Sequence, residues 1–520
     1  EQETAEEGAA GEDGGHGDAQ CTQIGGAREI VRRGRAALRA RKLVFSPAMS
    51  RRSRSGRRPG PTGGRSLAAG LVALALAGCA GRPPEERAEA GPTGRSGAGA
   101  DEASGQVSRD SSEAGAGPEA RGGAADPAEP RAGAGASGQG PGDSSAPLPS
   151  PRPMPAGYLA ASRACEARER IVVAAVGDLL IHHELQIQAT RAKDRFRVLW
   201  AGVEDLLRAA DLSYANLEVP LAAGVLRSGE EVADPGLVFD RKVYTAYPRF
   251  NVHPSMAEDL VTSGFDVVST ANNHALDRGA LGADKTLAAL DAAGLKHTGT
   301  RARGEAGPWH ALTTAGGFTV AWLACTLHTN RIEDTDGQVL RCFDDPGRVE
   351  GEVRRLAQTP GIDAVIVTPH WGKEYAPTAT KQQQEFARRW AEAGATAIVG
   401  SHPHVLQPWE FVRTKDGREV LVAYSLGNFV SHQPELEKRS TAILFFGLGR
   451  ARAGERAFVV GAGYVPVHVR QTGDEFFAEA IDRVGGPADC RAHVAQNFGA
   501  ANLLAPALPI EVAPQCRPAP

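Results

Sequence analysis

IVGSHPH, residues 398–404, sets two histidines on a loop directly behind a short apolar run. The layout recurs in VVAAVGDLL at 172–180, FDVVSTANNHALDRG at 265–279 and AVIVTPHWGKEY at 364–375. Each apolar run has the length of a strand buried on both faces, and polar residues follow it at once. In open α/β sheets ligands bind outside the carboxyl ends of strands. Asp178, Asn273, His274, His370, His402 and His404 are therefore expected to converge in one crevice. A carboxylate, an amide oxygen and several imidazoles are ligands for a divalent cation, and there are enough here for two.

The bulk numbers narrow the reading. The 520 residues carry 58 Lys plus Arg against 62 Asp plus Glu, a net charge of −4, so there is no whole-chain case for nucleic acid as a partner. No apolar run reaches the roughly 18 residues that span a bilayer. The first third of the chain is rich in Gly, Ala, Pro, Arg and Glu, and only the remainder has globular texture.

Residues 50–65 hold six arginines and no acid, and LAAGLVALALAGC follows at 67–79. A basic stretch, a short apolar run and small residues make a secretory signal. Leu76-Ala77-Gly78-Cys79 resembles a bacterial lipobox. That resemblance implies a lipoprotein signal over 49–79, lipidation at Cys79, and an exported protein anchored to a membrane of the bacterial cell envelope. Met49 stands where such a signal begins, so residues 1–48 are read as a mis-extended start. Residues 80–157 lack periodicity and cannot bury enough apolar area to offset ordering entropy; they read as a disordered linker. Such a coil reaches on the order of 50 Å, the size of a stalk.

The globular part is assigned to 165–470, with 471–520 as a C-terminal tail of no assigned role. The segment 254–263, between Pro254 and Gly264, and the segment 379–393, stopping at Gly394, read as helices. Runs at 419–424, 441–448 and 457–469 read as consecutive strands. A βα alternation that passes into strands predicts an α/β fold of layered sheets with flanking helices. Five cysteines follow the linker. Cys325 with Cys342 and Cys490 with Cys516 are the nearest pairs, though spacing does not fix connectivity.

Around the crevice, DLSYANLEVP (211–220) reads as a strand in which Asn216 and Glu218 point the same way. Glu218, with two oxygens, can bridge two cations. In ANNHALDRG, Asn273 can coordinate through its amide oxygen and His274 can serve as a general acid oriented by Asp277. Trp371 can wall off solvent or pack on substrate, and Glu374 belongs to the same cluster. Pro403 stiffens the spacing of His402 and His404, and in YSLGNF (424–429) Asn428 can touch substrate. His182 and His183 stand close enough to Asp178 in sequence to assist.

Taken in order, GD, NLE, ANNHALDRG, HWGKEY, GSHPHVLQ and YSLGNF closely resemble the bacterial CapA family of capsule or poly-γ-glutamate synthesis proteins, which have a calcineurin-like metallophosphoesterase fold. The resemblance spans about residues 170–432. It implies a four-layer αββα sandwich with two divalent metal ions (Mn, Zn or Fe). Asp178, Glu218 and His404 would hold one ion, and Asn273, His370 and His402 the other, with Glu218 shared and His274 the acid. Asn216, Trp371, Glu374 and Asn428 are the substrate-side candidates. The general phosphoesterase pattern has Asp-x-His in its first motif and Asp in its second. Here Leu180 stands in place of that His and Glu218 in place of that Asp. The first metal is then weaker, helped by His182 or His183, or absent.

Two readings follow. In one the chain is a metal-dependent hydrolase or transferase acting on an anionic polymer or phosphoester. In the other it is a non-catalytic lipoprotein whose metal grips polymer or supports a synthase complex. An enzyme needs His274; a binding module does not.

Overall fold

The IVVAAV run is the spine of the molecule. It lies in β1 (Glu169–Leu179), where Val173 and Ala175 face one way, Ala174 and Val176 the other, and all four are fully buried. The computed structural model describes residues 158–517; the expectations for 1–48, for the signal 49–79 with Cys79 and for the linker 80–157 lie outside the described residues.

β1 runs parallel to β2 (Leu212–Leu217), which continues in parallel to β3 (Val267–Ser269) and β4 (Lys296–Thr298). On its other side β1 pairs antiparallel with the strand Ser440–Arg450. With β12 (Ser440–Arg450), β13 (Phe458–Thr472), β14 (Glu475–Ala480) and the short β11 (Asn428–Val430), β1 to β4 form an eight-stranded sheet. A six-stranded sheet has the order β5 (His310–Ala315), β6 (Phe318–Thr326), β7 (Ala364–His370), β8 (Ala397–Val399), β10 (Glu419–Leu426), β9 (Leu406–Arg413).

Strand periodicity sorts the side chains into layers. Val173, Ala175, Leu212 and Tyr214 meet Val320, Trp322, Ala364 and Ile366 between the sheets, where Tyr214 stacks on Trp322 at 5.4 Å. Ala174, Val176 and Ala215 face helices α1 (His183–Arg191), α2 (Glu204–Ala209), α3 (Ser255–Thr262) and α4 (Gly279–Ala293) through Leu185, Leu206, Leu260 and Leu290. Ala321, Leu323, Val365 and Val367 face α5 (Pro346–Gln358) and α6 (Lys381–Ala393) through Val353, Phe386 and Trp390. The result is the expected four-layer αββα sandwich. In α6 the apolar positions 386, 387, 390 and 391 make one stripe, and a capping box of Thr380 and Gln383 starts the helix. Burying each such large side chain is worth about 1.5–3 kcal/mol.

Residues 471–517, given no role in the sequence, complete the sandwich. They supply β14 and a helix, α9 once α7 (Leu436–Arg439) and α8 (Ile481–Val484) are counted, at Ala488–Phe498. The carbonyl of Phe498 accepts a hydrogen bond from Trp409 Nε1 at 3.1 Å. The last strand of chain returns along β13, with Gln515 bonded to Val460 and Ala462. Disulfides join Cys165 to Cys516 and Cys325 to Cys342, and Cys490 is free and buried. The pairing of Cys490 with Cys516 by proximity therefore does not form; tertiary return of the tail brings the distant Cys165 to Cys516 instead. Among the described residues no helix is long and apolar enough to cross a membrane.

Candidate metal centre

Five strand ends, those of β1, β2, β3, β7 and β8, converge where the inter-sheet layer reaches the surface. Two glycines allow it. A Cβ on Gly177 would stand 1.9 Å from the Gly427 carbonyl oxygen, and one on Gly400 would stand 2.1 Å from that of Tyr424. The GD and LGN motifs therefore touch backbone to backbone, Asp178 N–H donating to Gly427 O at 2.9 Å. The pairing of β1 with β2 shifts register between Ala175 and Asp178. Such a bulge re-aims a side chain, and here it turns Asp178 towards the space between the sheets while Leu179 stays in the helix-facing core. Asn216 and Glu218 need no such device, because they continue the Leu212–Tyr214 face.

All six ligand candidates are at most 3% exposed. Glu218, His370 and His402 form one group of ligand atoms within 4.8 Å of one another, and Asp178, Glu218 and His404 form a second. Glu218 belongs to both. His370 Nε2 lies 3.0 Å from Asn273 Oδ1, 3.0 Å from His402 Nδ1 and 3.4 Å from Glu218 Oε1. One N–H can satisfy only one of these three acceptors. Glu218 Oε1 has no hydrogen-bond donor although it is fully buried, and His404 Nε2 points at it from 3.7 Å. His404 Nδ1 already faces Asp178 Oδ2 at 3.1 Å and Asn428 Oδ1 at 3.0 Å. Lone pairs crowd around a carboxylate oxygen that lacks a proton donor, and a buried group in that state is costly unless a cation completes it. The donor set fits a divalent cation.

The electrostatics point the same way. Burial, and next the facing Asp178, push the Glu218 carboxyl well above the usual carboxylate range. Burial, and next the neighbouring imidazoles, hold His370 and His402 well below the ordinary histidine value. The imidazoles are thus kept neutral, as ligands must be. The loop carrying the last two is strained: His402 and His404 have φ of 98° and 58°, left-handed values that cost non-glycine residues about 1–3 kcal/mol each.

Beside the cluster, His274 Nδ1 meets Asp277 Oδ2 at 2.7 Å, and both side chains are buried. A cleft of about 640 Å³ opens here, lined by Asn273, His274, Asp277, Glu374, Tyr375 and His404 among others.

Of the substrate-side candidates, only Glu374 lines this cleft. Asn216 lies beneath the cluster, its Nδ2 2.8 Å from Asp178 Oδ1 and 3.2 Å from His370 Nδ1. Asn428 is also buried, holding His404 through both its oxygen and its nitrogen. Both bond to ligand candidates, and neither lines the opening. Trp371 points the other way, stacked on Trp390 at 5.2 Å with Nε1 donating to Tyr424 O at 3.0 Å, so it is core and not cleft wall. Strand alternation explains this, since Trp371 follows His370 and must take the opposite face. His182 lines the cleft, its ring nitrogen 3.1 Å from Leu180 O and its pKa lowered by burial to about 4. His183 pairs with Glu184 at 2.8 Å. Neither belongs to the two ligand groups.

The sequence reading missed several neighbours. Ser401 Oγ lies 3.1 Å from His370 Nδ1, and its place inside GSHPH was a usable signal. The ring of His328 packs edge-on against His402 at 5.5 Å. Phe250 covers His274 at 4.8 Å and donates its N–H to Asp277 Oδ2 at 2.6 Å. These two stand in irregular segments with no local pattern.

The capsule biosynthesis protein CapA of Bacillus anthracis is 26% identical over 328 residues, covering 61% of this chain and 71% of that protein. The PGA biosynthesis protein CapA of Bacillus subtilis (strain 168) is 27% identical over 263 residues; this chain spans 61% of its length, the match taking in 48% of this chain. Among solved structures, Haemophilus influenzae NAD nucleotidase aligns with a TM-score of 0.36 at 11% identity, over 64% of this chain and 60% of that one, too distant to bear on function. The family model described as bacterial capsule synthesis protein PGA_cap matches residues 172–433, which takes in every ligand candidate, and the chain belongs to that family.

Proposed function

We propose that the protein is a metal-dependent hydrolase or transferase that acts on an anionic polymer during capsule or poly-γ-glutamate assembly at the cell envelope. The observation that carries this reading is Glu218 Oε1, a buried carboxylate oxygen without a donor, shared by two ligand groups beside a buried His–Asp pair.

Asp178, Glu218 and His404 would hold one cation, and Glu218, Asn273, His370 and His402 the other. Two bound divalent cations supply Lewis acidity and a bound water whose pKa falls towards 7. The protein's own groups do the rest. Asn216 and Asn428 fix the orientation of Asp178, His370 and His404. His274 delivers a proton to the leaving oxygen or nitrogen, and Asp277 holds its ring for that transfer. Phe250 keeps water from the His274 ring on one side. Lipid attachment at Cys79 and service to a polymer synthase complex belong to the same reading, supported by the family and by the sequence signal before the globular part.

The test is elemental mass spectrometry on the full chain purified without chelator, followed by assays on phosphoesters and γ-glutamyl oligomers. About two equivalents of a divalent transition metal, with turnover lost in His274→Ala, is the expected result. No bound metal after addition of Mn²⁺ or Zn²⁺ would overturn the mechanism. Metal without turnover of any such substrate would favour a polymer-binding role.

A further inference from the structure

One wall of the cleft is positively charged, and the protein does not neutralise it. Residues 247–250 line this wall, and Arg278, fully buried, ties down the segment that carries them. Its guanidinium donates to the carbonyls of Val243 and Arg249, both at 3.4 Å, and to the Thr245 hydroxyl. At the end of the wall Phe250 is bonded to Asp277 and covers His274. Tyr247 and Arg249 are thereby held on the cleft surface next to the His–Asp pair.

Both are exposed, Tyr247 to 75%. The Arg249 guanidinium makes one hydrogen bond among the described residues, to the Arg227 carbonyl at 3.3 Å, and neither Arg227 nor Arg249 has an ion pair among the described residues. The crowding of guanidiniums is felt behind the wall. Burial lowers Arg278 to about 10, with Arg227 and Arg249 adding to the fall against the opposing pull of Asp277. The rest of the lining differs. There Lys438 is spent on Glu435 at 3.1 Å and on the face of Tyr375 at 4.0 Å, while Glu374 has no ion pair among the described residues. An anionic group entering the cleft finds its unpaired guanidinium at Arg249 and is repelled by Glu374.

We propose that Arg249 is a specificity-determining residue that binds a carboxylate carried on the leaving side of the bond being broken. The inference rests on the hydrolase reading above and adds the substrate feature the cleft selects. In a γ-linked glutamate chain, the carbon that bears the amide nitrogen also bears a free α-carboxylate. That carboxylate sits beside the atom His274 protonates, within reach of a guanidinium on the adjoining wall. A guanidinium meets a carboxylate through two parallel N–H···O bonds, a geometry a lysine cannot supply. An α-linked chain, or one whose α-carboxylates are amidated, offers no anion at that place.

The test is equilibrium binding, read by fluorescence anisotropy, on the full chain carrying His274→Ala so that no bond is cut. The probes are a short labelled γ-linked glutamate oligomer and the same oligomer with its α-carboxylates converted to carboxamides. Adding Arg249→Gln should weaken the acidic oligomer about 10- to 100-fold and leave the amidated one unchanged. Arg249→Lys should recover only part of the loss. The inference is overturned if Arg249→Gln leaves the preference for the acidic oligomer intact, or if the parent binds neither oligomer. In the second case, turnover of p-nitrophenyl phosphate by the unmutated chain leaves the hydrolase reading standing. If the Arg249-dependent preference appears but no substrate is cleaved, the hydrolase reading falls and the carboxylate site remains.

Discussion

Two charged clusters sit at opposite ends of β1, about 30 Å apart by strand rise, and they differ in how they are satisfied. At the start of the strand, Arg450 is shared between Glu169 and Asp363, the latter at 2.9 Å, and its guanidinium lies over the Phe318 ring at 4.3 Å. Asp363 uses its second oxygen to accept the Thr319 N–H at 2.7 Å. Opposite charges meet and each group has a partner. At the other end, Asp178 and Glu218 stand together with three imidazoles, and Glu218 Oε1, Asn216 Oδ1 and Asp277 Oδ1 are left without donors. Arg450 and Asp363 are buried as Asp178 and Glu218 are, but only the first cluster completes itself. An incomplete buried cluster is costly to keep and marks a site that takes in something else.

The sharpest way to break this comparison is to remove one charge from each cluster. Glu218→Gln keeps the shape of the side chain and removes the shared ligand. Metal content should fall from about two equivalents to less than one, and turnover by about 10³-fold or more. The metal-free protein should become more stable by about 1–3 kcal/mol, because a buried carboxylate beside another is relieved. Urea melts of the chelator-treated protein read this directly. Equal destabilisation by Glu218→Gln and Arg450→Met would show that the two clusters do not differ in kind.

His274→Ala comes next. It leaves every ligand candidate in place, so metal content should be unchanged while kcat falls about 10²–10⁴-fold. Loss of metal in this variant would place His274 among the ligands instead. Arg450→Met has the smaller and opposite profile. It strands Asp363 and should cost about 3 kcal/mol in urea denaturation, with metal content per folded chain intact.

Much of this was legible in the sequence, for a physical reason. A ligand at a strand end is announced by local signals: an apolar run, then a polar residue. Asp178, His370, His402 and His404 all carry that mark, and Glu218 follows from the alternation of β2. The same alternation, applied one residue further, turns Trp371 into the core. The bulge before Asp178 could not be read, because nothing in VVAAVGDLL tells where the register slips. The Cys165–Cys516 pair and the Arg278-anchored wall were equally hidden, since both depend on contacts between segments that the chain brings together only on folding. Asn216 and Asn428, read from the sequence as substrate-side candidates, bond instead to Asp178, His370 and His404. Whether a polar side chain faces substrate or supports a ligand is set by depth, which sequence spacing does not record.

The smallest expected effect distinguishes the clusters by pH. Without metal, the folded protein holds a proton on the Glu218 carboxyl at pH values where the unfolded chain, with its carboxyl near 4.5, has lost it. This contribution to metal-free stability is present below about 4.5 and falls as pH rises towards the folded value. The imidazoles of His370 and His402 act in the opposite sense: unfolded they take up protons near 6.5, folded they do not, so stability rises with pH through that range. A cation needs the carboxylate ionised and the imidazoles neutral. Because burial has already neutralised His370 and His402, those two have no proton to give up, and the Glu218 carboxyl is the group that supplies one. Calorimetric titration of Mn²⁺ into the metal-free chain, at about pH 6 in two buffers of different ionisation enthalpy, should report release of up to one proton, declining as pH rises. Glu218→Gln should abolish that release even where residual binding persists. If no proton leaves the unmutated chain, Glu218 is already an anion at rest, and some donor other than a cation must be satisfying it.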